Sequence, residues 1–158
     1  MKAKIVINHY ALSKKWTRRV PIIKKISSKT LKLMLSYFIQ SKVYNLNIIL
    51  TDKNNIKKLN KTYRNKEKDT DVLTFVNKSY NKNVGKNYYC DIFFSIDKIE
   101  NFLKDSKINF YEHFNHLLIH SFLHINGYEH KTSNGNKLMK KIEILIMKKL
   151  GFENPYNN

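Results

Sequence analysis

Residues 120 to 130 read HSFLHINGYEH, a stretch that dictates a helix, its end and a reversal of the chain. Residues four apart on an α-helix share one face about 6 Å apart along the axis, so His120 and His124 direct their imidazoles at a common point. Gly127 falls just past the helical pattern, where positive φ lets the chain turn back and return His130 to the same point. Three neutral imidazoles with a fourth position open form the donor set of a catalytic zinc ion; structural zinc is usually closed by four ligands with cysteine among them. The one cysteine, Cys90, lies far from this stretch in sequence. The expectation is one Zn2+ per chain, held by His120, His124 and His130.

Upstream, the helix extends back to about Asn109. His113, His116, His120 and His124 follow one another at spacings of three, four and four, so they form a stripe. Most other positions are apolar (Phe114, Leu117, Leu118, Ile119, Phe122, Leu123), which predicts a buried helix. Polar side chains in such surroundings are costly unless something satisfies them, and a metal ion would. His116 is either a partner behind the ligands or an ordinary packed histidine. A helix with two histidines four apart is also the frame of metalloprotease sites, where a glutamate after the first histidine is the general base. Ser121 occupies that position and cannot take up a proton near neutral pH, which argues against a peptidase. Glu129, beside the third histidine, is either an acid or hydrogen-bond partner at the site or a solvated loop carboxylate.

Thirty Lys plus Arg against twelve Asp plus Glu give a formal charge of +18 on 158 residues, so the expected partner is polyanionic. Zinc held by uncharged ligands keeps its full charge and favours phosphate oxygens over peptide carbonyls. Nucleic acid fits best, although the abundance of Lys, Asn and Ile is also what AT-biased coding produces. One cysteine excludes an intrachain disulfide and agrees with a reducing compartment. With neither a secretory leader pattern nor an apolar run of bilayer length, the expectation is a cytoplasmic protein without membrane contact.

The rest of the chain alternates strands and helices. Lys4–Tyr10 reads as a strand, 21–40 as a helix with Pro21 in its first turn, and Tyr44–Leu50 as a second strand. Asp52 caps a short helix to about Tyr63, and Val72–Val76 is a strand. Residues 77–87 read as a loop, 88–96 as a strand, and helices follow at about 97–104 and 136–150. This predicts a single α+β domain over 1–158, with a roughly four-stranded mixed sheet, about five helices and the metal site on the C-terminal helical part.

The second informative stretch is Leu59–Phe75, LNKTYRNKEKDTDVLTF. Arg64 and Lys66 stand in the connection after a helix, where long cations can reach a phosphate, and the planar guanidinium of Arg64 suits phosphate oxygens better. Taken alone, an arginine in a basic loop is usually a solvated charge. Asp69, Thr70 and Asp71 read by default as turn and capping residues.

These two stretches, in this order, resemble the L-N-x-x-Y-R-x-K-D-x-x-T-D-V-L-S-F and H-G-x-L-H-L-x-G-Y-D-H motifs of the YbeY-type endoribonucleases, the bacterial rRNA maturation factors. Tyr89–Ile92 (YCDI) matches a G-D-I strand between them, and Met139 with Glu143 fits the closing helix, so the resemblance covers about 44–151. It implies that His120, His124 and His130 are zinc ligands and that Arg64 is the arginine implicated in nuclease activity. It further implies cleavage of single-stranded RNA in small-subunit rRNA 3′-end maturation and ribosome quality control, with rRNA and the small subunit as partners and DNA not expected. The chain departs from the pattern at Ser121 for Gly, Glu129 for Asp, Cys90 for Gly and Val76 where a proline often follows the strand. None of these removes a ligand. The alternative is a non-catalytic, zinc-containing assembly factor that binds rRNA.

Overall fold

The computed structural model describes residues 2–38, 42–65 and 70–157. Within them, four strands and five α-helices follow in the order β1 (Lys4–Ala11), α1 (Val20–Leu35), β2 (Lys42–Thr51), α2 (Lys53–Arg64), β3 (Val72–Asn81), β4 (Gly85–Ser95), α3 (Ile96–Leu103), α4 (Phe110–Ile125) and α5 (Ser133–Lys149). One turn of 3-10 helix, Lys14–Trp16, links β1 to α1.

The sheet is mixed and runs β1-β2-β4-β3, with β1, β2 and β4 parallel and β3 antiparallel to β4. In the central strand β2, burial alternates residue by residue: Tyr44, Leu46, Ile48 and Leu50 are fully buried on one face. The helix that carries the histidine stripe lies in the middle of the helical part, against α1, α3, α5 and β3. Phe114, Leu118, Ile119, Phe122, Leu123 and Ile125 of α4 have no exposed surface. Each such side chain contributes about 1.5–3 kcal/mol from burial, so apolar packing holds α4 in the core. A rigid platform for the imidazoles follows from that packing.

Polar residues set the helix boundaries, and α5 starts at Ser133 rather than at the expected Asn136. The side chains of Asp52, Asn109 and Thr132 accept from the backbone N–H of Asn55, Glu112 and Gly135 at 3.1, 3.0 and 3.0 Å, capping α2, α4 and α5. Helix α1 stops at Leu35, where the Ser36 hydroxyl and N–H both turn back onto the Leu33 carbonyl. The expected continuation to Gln40 is corrected for residues 36–38, which leave the helix in a turn with Tyr37 N–H on Met34 O (3.0 Å) and Phe38 N–H on Leu35 O (3.1 Å); residues 39 and 40 fall outside the described residues.

The expected loop between the last two strands is corrected as well. Residues 77–87, read as a loop, are the far halves of β3 and β4, paired in register from Asn77↔Tyr89 to Asn81↔Gly85. The hairpin closes through Val84 N–H on Asn81 O (3.2 Å), Asn83 N–H on the Asn81 side chain (2.9 Å), and Gly85 at φ +90°. The arm is exposed along β3, so neither apolar alternation nor core burial marks it as strand. Backbone pairing and a turn-forming NKNVG sequence suffice.

Candidate metal centre

Helix α4 ends in a Schellman turn. Gly127 N–H bonds His124 O at 3.0 Å and Tyr128 N–H bonds Leu123 O at 3.1 Å, with Gly127 at φ +89°. This reversal brings His130 back beside the helix. The ring centroids of His120, His124 and His130 stand 4.5, 4.9 and 5.5 Å apart, and one ring nitrogen from each lies within 4.8 Å of the others. His120 and His124 are half-buried and His130 is exposed.

The outer nitrogens fix the protons. His124 Nδ1 lies 2.9 Å from the Tyr128 carbonyl, an acceptor only, so Nδ1 carries the hydrogen. His120 Nδ1 lies 2.5 Å from Glu143 Oε1 and donates to it in the same way. Both Nε2 atoms of the neutral rings then present lone pairs, 2.9 Å apart, to one point. Two lone pairs face each other at hydrogen-bond distance with no proton of their own between them, and a cation is what that arrangement accepts. Burial, then the neighbouring His120, holds the His124 pKa below the ordinary histidine value, which keeps its ring in the ligating form. The donor set therefore fits a divalent metal ion.

Glu143 is the residue that sequence reasoning placed only in the closing helix. It is 1% exposed, comes from α5, and accepts from His120 Nδ1, from His116 Nε2 at 3.1 Å and from the Tyr156 hydroxyl. Burial would raise its pKa, but the bonds from His116, His120 and Tyr156 more than offset this and hold it down to about 2. His116 thus sits behind the three converging rings, bonded to the carboxylate that orients one of them. A lone glutamate 23 residues beyond His120 gives no spacing signal; a buried position on an otherwise lysine-rich helix is the only hint.

The imidazoles open onto a cleft of about 830 Å³ that also receives Arg64 and Tyr156. Arg64 is the last residue of α2. Asn65 follows it in the left-handed region at φ +51°, and Arg64 Nη2 donates to Thr74 O of β3 at 2.9 Å. Its guanidinium carbon lies 5.6 Å from the centroid of the Phe75 ring, so backbone and aromatic contacts anchor the side chain, and among the described residues its other N–H groups have no hydrogen-bond acceptor. Lys66 and Asp69 fall outside the described residues. Glu129 is exposed, and the outer nitrogens of His120 and His124 are occupied by Glu143 and Tyr128 instead. Ser121 is buried within the cleft wall, with its hydroxyl unpaired among the described residues.

Residues 11–151 match the family described as Endoribonuclease YbeY. Proteins named endoribonuclease YbeY are similar over most of the chain. That of Ehrlichia canis is 36% identical, covering 96% of each sequence, and that of Buchnera aphidicola is 40% identical, covering 79% of this chain and 81% of its own. The solution structure of a Thermotoga maritima protein superposes with a TM-score of 0.58 at 20% identity, covering 97% of this chain and 96% of that one, and so shares the fold.

Proposed function

The chain belongs to the YbeY endoribonuclease family, and on that premise we propose that it is a single-strand-specific, zinc-dependent endoribonuclease. Its substrate is rRNA in the cytoplasm, in small-subunit 3′-end maturation and ribosome quality control. The observation that carries this reading is that three converging imidazoles and an anchored arginine open onto one cleft in a chain of charge +18.

His120, His124 and His130 would hold the ion. When bound, it supplies Lewis-acid polarisation of a phosphoryl oxygen. Zinc suits three imidazoles with a position left open, whereas Mg2+ prefers oxygen ligands. The chain's own contribution is positional and electrostatic. Glu143 and the Tyr128 carbonyl hold two rings in the tautomer with Nε2 free. Arg64 neutralises charge that grows on the non-bridging phosphate oxygens as the P–O bond breaks. Lys66, two residues after Arg64 in sequence, is the second candidate for binding RNA phosphate. The net charge draws the polyanion in from solution and is screened by salt.

The test is cleavage of a labelled single-stranded RNA by the protein as isolated, after chelation and after return of zinc, beside His124→Ala prepared identically. Cleavage that disappears on chelation, returns with zinc and is absent from the variant supports the reading. Equal cleavage by both proteins, or none by either on naked and ribosomal RNA, moves the assignment to a binding factor in ribosome assembly. Product ends then identify the nucleophile, a 2′,3′-cyclic phosphate marking attack by the 2′-hydroxyl.

A further inference from the structure

The cleft continues past the imidazoles, and its far arm is built differently. His113 and His120 lie seven residues apart on α4, which separates the two ends by about 10 Å of helix. Toward the far end the wall carries Val72, Leu73, Ile108 and Leu117 beside Thr70, whose hydroxyl donates to Asp71 Oδ1 at 3.4 Å, and Asp71 is the one carboxylate among the described residues that line the cleft. Phe102 of α3 lines this arm, remains 48% exposed, and stacks on His113 with centroids 4.1 Å apart and planes at 13°.

Asp71 is held, not loose. Its backbone carbonyl accepts from Ser95 N–H at 2.8 Å, its side chain is one-third exposed, and Oδ2 stands 3.6 Å from His113 Nε2. That gap is too long for a hydrogen bond, and neither ring nitrogen of His113, only 5% exposed, has a hydrogen-bond partner among the described residues. A buried polar pair stopped short of contact can close when something fixes the carboxylate. Because those nitrogens are shielded from solvent, the group an incoming molecule meets is Asp71.

A carboxylate repels phosphate, so this arm is not a path for the RNA backbone. Apolar walls, an exposed aromatic ring and one acceptor-only group suit a nucleobase instead, stacked and read along its edge. Among the four bases, guanine alone presents two adjacent N–H donors on its Watson–Crick edge, matching the two oxygens of a carboxylate. We propose that Asp71 and Phe102 form a guanine-binding subsite that seats a nucleotide flanking the scissile phosphate, with His113 positioning the carboxylate from behind. The proposal rests on the RNA-cleaving reading above for its substrate class.

The test uses fluorescein-labelled heptauridylates, 2′-O-methylated throughout, carrying one central guanine, inosine, adenine or cytosine, and titrated by anisotropy into the zinc-loaded chain. The guanine oligonucleotide should bind on the order of tenfold more tightly than the others. Inosine, which keeps N1–H and lacks the 2-amino group, should lose most of that gain with no change to the protein. Asp71→Asn should abolish the preference, and Phe102→Ala should weaken purine binding several-fold. Equal affinity for all four, or a preference that survives both inosine and Asp71→Asn, overturns the proposal. The two readings fail separately: unmodified RNA cut without base preference sinks the subsite alone, whereas guanine-selective binding without cleavage keeps the subsite and sinks the nuclease.

Discussion

Glu143 accepts the Nδ1 hydrogen of His120 at 2.5 Å across the junction of α4 and α5, while its other oxygen takes the hydrogens of His116 and Tyr156. One buried carboxylate thus ties the helix that carries the imidazoles to the helix and tail that follow. Glu143→Gln keeps the shape but replaces an acceptor oxygen with a donor. We expect zinc affinity to fall about 10–100-fold, the usual cost of losing such a partner. Competition against a chromophoric chelator measures it; an unchanged affinity would show that Glu143 serves packing alone.

Chelation distinguishes a catalytic ion from a structural one. Because α4 is buried by its own apolar residues, removing the metal should leave the far-ultraviolet circular dichroism nearly intact. The melting temperature should fall by only the ligand-linkage amount. Collapse of the C-terminal half on chelation would instead mark the ion as structural, as in the assembly-factor alternative.

Arg64 is anchored by Thr74 O and Phe75 and lies outside the imidazole cluster. Arg64→Ala should therefore lower kcat about 10²-fold or more, as loss of a charge-stabilising donor does elsewhere. Zinc stoichiometry should stay at the wild-type value. Arg64→Lys should recover little, since lysine lacks the bidentate fork. A variant that cuts RNA normally but binds it with a shallower salt dependence would assign Arg64 to substrate binding.

Away from the cleft, Asp97 accepts from Lys15 Nζ at 2.6 Å and from Lys53 N–H at 2.9 Å. Burial would raise its pKa, but these two partners outweigh burial and hold it below 3.8. A depressed folded value means that the charged form stabilises the fold fully above pH 3.8. That contribution disappears as pH falls through the lower folded value. Asp97→Asn should accordingly unfold at lower urea concentration than wild type at pH 7, with the gap closing below pH 3.8. A gap independent of pH would assign the loss to packing.

The candidate site was legible in the sequence wherever local spacing encodes geometry. His120 and His124 follow from helical periodicity, His130 from a glycine that must turn the chain, and the cap at Asp52 from residue type alone. What escaped depends on contacts distant in sequence. Glu143 becomes a partner of His120 only when α5 packs on α4, and Asp71, which reads as a turn residue, comes within 3.6 Å of His113 only when β3 lies beside that helix. The polar strand halves around Asn81 and Gly85 escaped for another reason: exposed on a protruding arm, they carry no apolar pattern.

Two Schellman turns among the described residues provide a matched pair of substitutions. Gly127 ends α4 at φ +89° and Gly151 ends α5 at φ +87°, each with N–H bonds onto the last helical turn and open space where a Cβ would lie. Alanine at either site pays the same backbone strain, about 1 kcal/mol. Only Gly127 also sets the site, because its turn delivers His130 and aims the Tyr128 carbonyl at His124 Nδ1. We therefore expect Gly127→Ala and Gly151→Ala to lose similar stability by urea denaturation of the chelated protein. Gly127→Ala alone should weaken zinc binding, by tenfold or more, on the order expected when a ligand and its orienting partner both shift. Equal zinc affinities in the two variants would mean that the turn can flex without moving His130, and that the convergence of the imidazoles does not depend on it.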